Sequence, residues 1–298
     1  MKINLATFYS SDLKRSAERF KEQATLMNVY DNIYTFNQED LNDDFKDYIS
    51  KLLKKGKKRG YGHWVWQTYI HKIMLAKMQE GDIYHWCDVG CHFNTKGISR
   101  LKEYINIVHN DKNGFLGFSY KNPNLSKKYK NYSFPNYLEY EYSKSDLIKY
   151  FDLSYDDKIV QSPQVWGGSF FIRKCKSAED LMNKHYDITR NRYDLIDDDE
   201  SKFVEKALPG FISHRHSQGV LSILAKKIDC NFLSAYESEW ALDELGNRTF
   251  EHTNTFPVIA KRDKKRNIFL RFVDRQKRTY RRKMIKIKSF LSLNSNFF

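Results

Sequence analysis

Residues 60–94 read GYGHWVWQTYIHKIMLAKMQEGDIYHWCDVGCHFN, and this stretch decides the fold. Glycines and tryptophans open a helical run, the Gly81-Asp82 pair ends it, and an apolar strand then leads to Asp88 in a glycine-bearing loop. An acidic residue at the carboxyl end of an inner strand lies where open α/β sheets bind their ligands. The stretch therefore predicts a ligand site at a strand end.

The rest of the chain also alternates between strand and helix patterns. Strands are predicted at residues 2–9, 29–36, 83–87, 114–120 and 167–173. Helices are predicted at about 10–27, 40–53, 65–78, 98–109, 143–151, 178–193 and 217–228. This alternation is typical of an α/β fold in which helices cover a mostly parallel sheet. The polar connection at residues 121–140 is long, and long connections are often functional.

Charge divides the 298 residues into two parts. The net charge is +14, but residues 261–298 hold 14 Lys or Arg against two Asp, so residues 1–260 carry only +2. We assign residues 1–260 to one domain and residues 261–298 to a basic amphipathic helical tail. Such a helix can lie on an anionic membrane surface, or it can pack on the domain.

Cysteine usage and the N-terminus indicate a compartment. Four cysteines without dense spacing do not predict a disulfide framework, and a reducing environment fits them best. The first 20 residues lack the apolar centre and cleavage site of a signal peptide, and no run approaches about 18 apolar residues. We therefore expect a soluble cytoplasmic protein.

Asp88 could bind a divalent ion that bridges a diphosphate. The alternative is a turn residue that bonds its own backbone. The neighbouring His85, Cys87, Cys91 and His92 suggest zinc, but the two cysteines are spaced unlike those of zinc knuckles and no second pair follows. Buried cysteines beside a core strand are the favoured interpretation.

The aromatic turn offers a second candidate site. Gly60 and Gly62 permit a tight backbone approach, and the rings of Trp64 and Trp66 can stack on a base or a sugar. Core packing of both rings is an equal alternative. We expect one ring to be buried and the other to face a cleft.

Two later motifs complete the set. Gly167 and Gly168 before a strand permit close approach of an acceptor sugar, although a bulge would look the same. His214, Arg215 and His216 place donors beside the positive end of a helix dipole, where a diphosphate would bind. The alternative for this cluster is a solvated helix cap.

Together these motifs resemble bacterial glycosyltransferases of the nucleotide-diphospho-sugar transferase (GT-A) type that work on lipopolysaccharide or capsule. Order and spacing agree from about residue 6 to residue 225. The matching residues are Gly60, Gly62, Trp64, Trp66, Tyr69, Gly81, Asp82, Ile83, Asp88, Gly90, Cys91, Asn94, Gly167, Gly168, His214, Arg215, His216 and Gln218. The departures are Gln67, Thr68, Val89, Ser217 and Gly219, and no second aspartate stands two residues after Asp88.

The resemblance implies a GT-A, Rossmann-like mixed sheet flanked by helices, and transfer of a hexose or related sugar from a UDP-sugar to a cell-surface glycan or lipid-linked oligosaccharide. Asp88 and Gln218 would be catalytic, Gly167 and Gly168 would face the acceptor, and Asp88 with His214 would hold Mn²⁺ or Mg²⁺. The predicted donor-binding residues are Thr7, Tyr9, Gly60, Gly62, Trp64, Trp66, Gln67, Asp88, Gly90, His214, Arg215 and His216. A base, if one is needed, could be His92, Asp199 or Glu200.

The sequence also leads to an expectation about cellular location and to two alternative functions. A tail on anionic lipid would make the protein peripheral on the cytoplasmic face of the inner membrane. A second hypothesis is that the protein binds nucleic acid through its basic tail, but the nearly neutral charge of residues 1–260 argues against it. The departures at Ser217 and Gly219 lead to a third hypothesis, that the protein is a catalytically inactive relative that assembles with other transferases.

Overall fold

A computed structural model describes residues 1–124, 127–199 and 207–261 of the chain. Its centre is a six-stranded sheet with the order β2-β1-β3-β6-β5-β7. The strands are β1 (Ile3–Phe8), β2 (Asn32–Phe36), β3 (Ile83–Cys87), β5 (Phe115–Ser119), β6 (Ser169–Arg173) and β7 (Asn231–Ser234). β6 is antiparallel to β3 and β5, whereas β1 is parallel to β2 and β3, and β5 is parallel to β7. The predicted α/β class, a mixed sheet flanked by helices, is confirmed.

Nine helical segments connect the strands of the described chain. They are α1 (Lys14–Leu26), α2 (Asp43–Lys54), α3 (Gly60–His63), α4 (Val65–Lys77), α5 (Ile98–Asn110), α6 (Glu139–Tyr142), α7 (Ser145–Tyr150), α8 (Lys176–Asn191) and α9 (Ser217–Lys227). No helix in the described parts of the chain is long and apolar enough to cross a membrane. The predicted tail helix lies outside the described residues, apart from Lys261.

The sheet separates two hydrophobic cores because side chains alternate between its faces. Tyr84 and Trp86 of β3 enter the core shared with α2, α4, α8 and α9. Ile83 of the same strand enters the core shared with α1 and α5. Phe170 and Phe171 of β6 divide in the same way. Helices therefore cover both faces of the sheet.

The sequence interpretation missed the strands after α9 and one short strand after the Asp88 loop. β7 at the sheet edge and four two-residue strands were not predicted: β4 (His92–Phe93), β8 (Ala241–Leu242), β9 (Arg248–Thr249) and β10 (Val258–Ile259). β10 pairs with β4 directly after the Asp88 loop. Segments this short carry too few residues for a recognisable periodicity. The N-cap of α9 is His216.

Candidate functional site

The strand ends bring the predicted motifs together at one edge of the sheet. β1 and β3 are parallel neighbours. β6 is antiparallel to both β3 and β5, so β5 runs in the same direction as β3. The carboxyl ends of β1, β3 and β5 therefore lie on the side of the sheet where β6 begins. The Asp88 N–H donates to the carbonyl of Gly168 over 2.8 Å, which joins the acidic loop to the paired glycines. Trp66 stacks on Phe8 at the end of β1 with a ring-centre distance of 4.1 Å. This edge is the candidate active site.

The Asp88 loop is held by a residue that the sequence interpretation missed. The guanidinium of Arg19, on α1, donates to the carbonyls of Val89 (2.8 Å) and Cys91 (2.7 Å). The loop closes on itself through the Cys91 N–H, which donates to the Asp88 carbonyl over 2.9 Å. Asp88 and Gly90 are half-buried. Nothing in the local sequence indicates Arg19, because its partners lie about 70 residues away.

Two glutamines bind Gly167 from opposite sides. The Gln67 side-chain amide donates to the Gly167 carbonyl over 2.9 Å, and the Gly167 N–H donates to the Gln218 side-chain oxygen over 3.0 Å. The Gln218 amide nitrogen in turn donates to Gln164 over 2.7 Å. Gln67, which departs from the family pattern, therefore positions Gly167. Both ends of the Gln218 amide bond protein groups, and its catalytic role stays a prediction.

Gly168 is required by its neighbours. A Cβ atom at this position would lie 2.5 Å from the indole ring of Trp166, well inside van der Waals contact. Trp166 is buried and donates its backbone N–H to Phe118 on β5 over 2.7 Å, so it has little room to move. The glycine therefore allows the chain to enter β6 beside Trp166. Acceptor binding at Gly167 and Gly168 stays a prediction.

The aromatic turn is left-handed over five consecutive residues. The φ angles are 58° at Gly60, 53° at Tyr61, 86° at Gly62, 58° at His63 and 62° at Trp64. A non-glycine residue in this conformation costs roughly 1–2 kcal/mol, so Tyr61, His63 and Trp64 store strain. The glycines predicted a tight turn, but not that three residues with side chains would share its strained conformation.

The two tryptophans take different positions around this turn. Trp66 is buried, 7% exposed, and its indole N–H donates to the Gly60 carbonyl over 3.0 Å. Trp64 is half-buried, packs against Gly60 and lies 5.3 Å from the ring of His216. A Cβ atom on Gly60 would lie 2.4 Å from the Trp64 ring. One ring is therefore in the core, as expected, and the other borders the histidine-arginine cluster.

Two of the residues that were predicted to bind the donor, Thr7 and His214, are buried in the interior of the protein. Thr7 is fully buried in β1, and its hydroxyl has no hydrogen-bond partner among the described residues. His214 is 4% exposed, and its Nδ1 accepts the Lys144 N–H over 3.2 Å. Burial holds the pKa of His214 well below its usual value, so the imidazole is neutral where a cation was predicted. Tyr9 is half-buried just past β1 and stays a donor-binding prediction.

Arg215 has no carboxylate partner among the described residues. Its guanidinium lies over three tyrosine rings, 5.1 Å from the centre of Tyr120, 4.2 Å from Tyr137 and 4.3 Å from Tyr142. The residue is half-buried, and its backbone N–H donates to the Tyr142 carbonyl over 3.1 Å. A guanidinium stays charged at any physiological pH. Among the described residues, this partly desolvated positive charge is stabilised by the tyrosine rings and by a side-chain hydrogen bond with Tyr120.

The departures at Ser217 and Gly219 have local explanations. Ser217 is 2% exposed, so a small side chain fits this buried position, and its backbone carbonyl accepts the Nε2–H of His185 over 2.9 Å. A Cβ atom on Gly219 would lie 2.8 Å from the Ser143 hydroxyl oxygen. Any side chain at position 219 would therefore require Ser143 to move. Both departures fit the packing beneath α9.

The predicted metal ligands Asp88 and His214 do not belong to the cluster of three ligand-type residues that the described chain contains. Within residues 1–124, 127–199 and 207–261, the cluster whose ligand atoms all lie within 4.8 Å of one another is His63, Asp198 and His216. Asp88 and His214 are not members. Asp199, a candidate base, is paired with Lys57 over 2.5 Å, which lowers the pKa of its carboxyl. Glu200 lies outside the described residues.

Comparison with known proteins gives only distant structural similarity. No protein-family model and no curated protein matches the chain. A glycosyltransferase involved in the glycosylation of the major capsid of PBCV-1 is similar, with a TM-score of 0.46, 12% identity, and coverage of 96% of this chain and 100% of that chain. The apo-form glycosyltransferase GlyE of Streptococcus pneumoniae has a TM-score of 0.37 and 14% identity, covering 80% of this chain and 46% of that chain. Apo mouse xyloside xylosyltransferase 1 has a TM-score of 0.38 and 8% identity, covering 80% of this chain and 87% of that chain. TM-scores below 0.5 carry no conclusion about function.

Proposed function

We propose that the protein is a glycosyltransferase that moves a hexose or related sugar from a nucleotide diphosphate donor, with UDP as the nucleotide, to a glycan acceptor. The observation that carries the proposal is Arg215, a half-buried cation two residues before α9 that has no carboxylate partner within the described part of the chain. A charge removed from water is normally paired. An anionic ligand would supply the missing partner.

A diphosphate fits this position better than a single carboxylate. The Arg215 fork can donate two parallel hydrogen bonds to phosphate oxygens, and the adjacent first turn of α9 adds a positive helix end. Tyr120, whose ring contacts the guanidinium, directly follows β5 at the ligand-binding edge of the sheet. The guanidinium and the acidic loop therefore belong to the same edge.

The other parts of the proposed reaction follow from the same edge. Asp88 would position the donor, directly or through Mn²⁺ or Mg²⁺, because a divalent ion offsets the charge that develops on the leaving nucleotide. The glycan or lipid-linked acceptor would approach beside Gly167 and Gly168. The basic tail at residues 261–298 would hold the protein on an anionic membrane surface on the cytoplasmic side of the inner membrane.

Nucleotide binding tests the assignment of Arg215. Full-length protein is titrated with UDP, GDP, CMP and their sugars, with and without Mn²⁺, by thermal shift and calorimetry. A hydrogen bond to a charged group contributes about 1.5–3 kcal/mol, so Arg215→Gln should weaken UDP binding by about 10- to 100-fold. Arg190→Gln is the matched control, because that guanidinium also lies over a tyrosine, Tyr48, at 3.8 Å, but it is paired with Asp44.

Turnover tests the assignment of Asp88. Asp88→Asn should abolish sugar transfer and donor hydrolysis while the protein remains folded. The control is Asp229→Asn, at a side chain that is 93% exposed. If the wild-type protein binds none of the nucleotides and hydrolyses no nucleotide-sugar, the transferase assignment is wrong. Salt-dependent oligonucleotide binding in its place would favour the nucleic-acid alternative.

A further inference from the structure

Three ligand-type side chains meet beside the aromatic turn. Nε2 of His63 lies 3.7 Å from one carboxylate oxygen of Asp198, and Nε2 of His216 lies 3.8 Å from the other. The two imidazole rings stack with centres 4.4 Å apart. A zinc ion with bonds of about 2.0–2.2 Å places its ligand atoms roughly 3.3–3.5 Å apart. A contraction of about half an ångström would therefore bring each histidine-carboxylate contact to the spacing found between two ligands of one zinc ion.

In His63 and in His216, the ring nitrogen that faces away from Asp198, Nδ1, already has a hydrogen-bond partner. His216 Nδ1 is 2.8 Å from the Ile196 carbonyl, which can only accept, so Nδ1 carries the hydrogen and Nε2 presents its lone pair. His63 Nδ1 is 2.8 Å from the Tyr193 hydroxyl, which can accept in the same way. Metal-binding histidines normally donate their second ring N–H to such a group.

The second observation is that His216 Nε2 is buried and has no hydrogen-bond partner among the residues that the structure describes. The residue is 2% exposed, so an unpaired ring nitrogen has no ready access to water. A buried polar atom left unpaired costs about 1–3 kcal/mol. A ligand that accepts the lone pair would remove this cost.

Backbone strain points to the same two histidines. His63 lies in the left-handed turn with φ of 58°, and His216 has φ of 53° with ψ of −134°, a region that favours glycine. Each non-glycine residue in such a conformation costs of order 1–3 kcal/mol. Both strained positions direct an imidazole toward Asp198, and strain of this kind clusters at ligand sites.

We propose that His63, His216 and Asp198 form a binding site for a divalent transition metal, with zinc the best match. Two imidazoles and one carboxylate suit zinc, iron, cobalt or nickel better than magnesium, whose ligands are mainly oxygens. Three protein ligands leave a fourth tetrahedral position open. Trp64 and the first turn of α9 adjoin this position through their contacts with His216.

The charges around the cluster permit a cation. Burial lowers the pKa of His216 to about 4 and lowers that of His63, so both rings are neutral and able to coordinate at pH 7. Arg59, which is 61% exposed, lies 3.7 Å from Asp198 and would have to turn into solvent. Lys57 is paired with Asp197 (3.8 Å) and Asp199 (2.5 Å), which offset its charge.

Cobalt and zinc binding test the site. Full-length protein is treated with a chelator and titrated with Co²⁺, and Zn²⁺ is then added as competitor. We expect one equivalent of Co²⁺ with the visible absorption of a tetrahedral complex, displaced by Zn²⁺. Asp198→Asn, at a half-exposed loop position, should fold normally and weaken binding at least 10-fold, whereas Arg59→Gln should strengthen it by removing a competing cation.

Controls separate the site from adventitious binding. His109→Gln removes an exposed histidine on α5 and should leave the Co²⁺ spectrum unchanged. His216→Asn should abolish the spectrum, and its folding is checked by circular dichroism. If Asp198→Asn and His216→Asn bind Co²⁺ like the wild type, or if the wild type gives no tetrahedral spectrum, the site does not exist. This outcome is independent of UDP binding through Arg215.

Discussion

Mild acid should destabilise the protein through histidines that are buried in the neutral form. His85 is fully buried and bonded at both ring nitrogens, to the Tyr30 hydroxyl (2.8 Å) and to the Ser169 hydroxyl (2.9 Å). Burial lowers its pKa from 6.5 to about 3. His185 is 1% exposed beneath Ser217, and burial lowers its pKa to about 4. Each folded pKa is below the unfolded value, so the unfolded chain takes up the proton first.

The magnitude follows from these two values. The contribution of each histidine to stability is complete above pH 6.5 and is lost as the pH falls toward the folded pKa. Between pH 7.5 and pH 5.5 each histidine should reduce the free energy of unfolding by about 1.4 kcal/mol. Together, His85 and His185 should therefore lower the free energy of unfolding by about 3 kcal/mol between pH 7.5 and pH 5.5. Carboxylates with ordinary pKa values near 4 contribute little in this window.

Urea unfolding at the two pH values measures this difference. In His85→Gln the pH-dependent loss should shrink by about 1.4 kcal/mol, because the amide does not titrate. Comparing the two pH values within one variant cancels the packing cost of the substitution. His109→Gln, at an exposed position, should keep the wild-type pH dependence. An unchanged pH dependence in His85→Gln would refute the reasoning.

Three further outcomes are expected. Gly168→Ala should lower the free energy of unfolding by about 1–3 kcal/mol, measured by urea unfolding, because its methyl group would meet the Trp166 ring at 2.5 Å. Lys226→Met should lower it by about 3–5 kcal/mol, because Lys226 pairs at 2.7 Å with Glu139, which is fully buried and would keep an uncompensated charge. Arg215→Lys should bind UDP more weakly than the wild type but more tightly than Arg215→Gln in calorimetry, because lysine keeps the charge and loses the planar fork.

Much of the scaffold could be predicted because its signals are local. β3 at Ile83–Cys87 was predicted with its observed bounds, since five apolar or aromatic residues follow a glycine-aspartate turn. α4 and α9 were predicted within one residue of their ends, because their helical patterns are long enough to recognise. β7 was missed because it has only four residues, of which one is exposed, two are half-buried and one is buried, and these carry no comparable pattern.

Some features of the candidate site could also be predicted from the sequence, and others could not. The strand-end aspartate, the aromatic turn and the paired glycines could be recognised from residue type and spacing. The burial of His214 and Thr7 could not, because it depends on helices that arrive from distant parts of the chain. The same holds for the contacts of Asp198 with His63 and His216, which lie far from it in the sequence or on another element.

The sequence by itself determined the class of the fold, the order of its elements and the edge where a ligand would bind, because each follows from periodicity and turn chemistry over about ten residues. Only the tertiary structure decided which side chains share that edge. Arg19 and Val89 are 70 residues apart, and His63 and His216 are separated by half the chain, yet both pairs meet. Contacts at such separations depend on how the layers pack, and no local pattern encodes them.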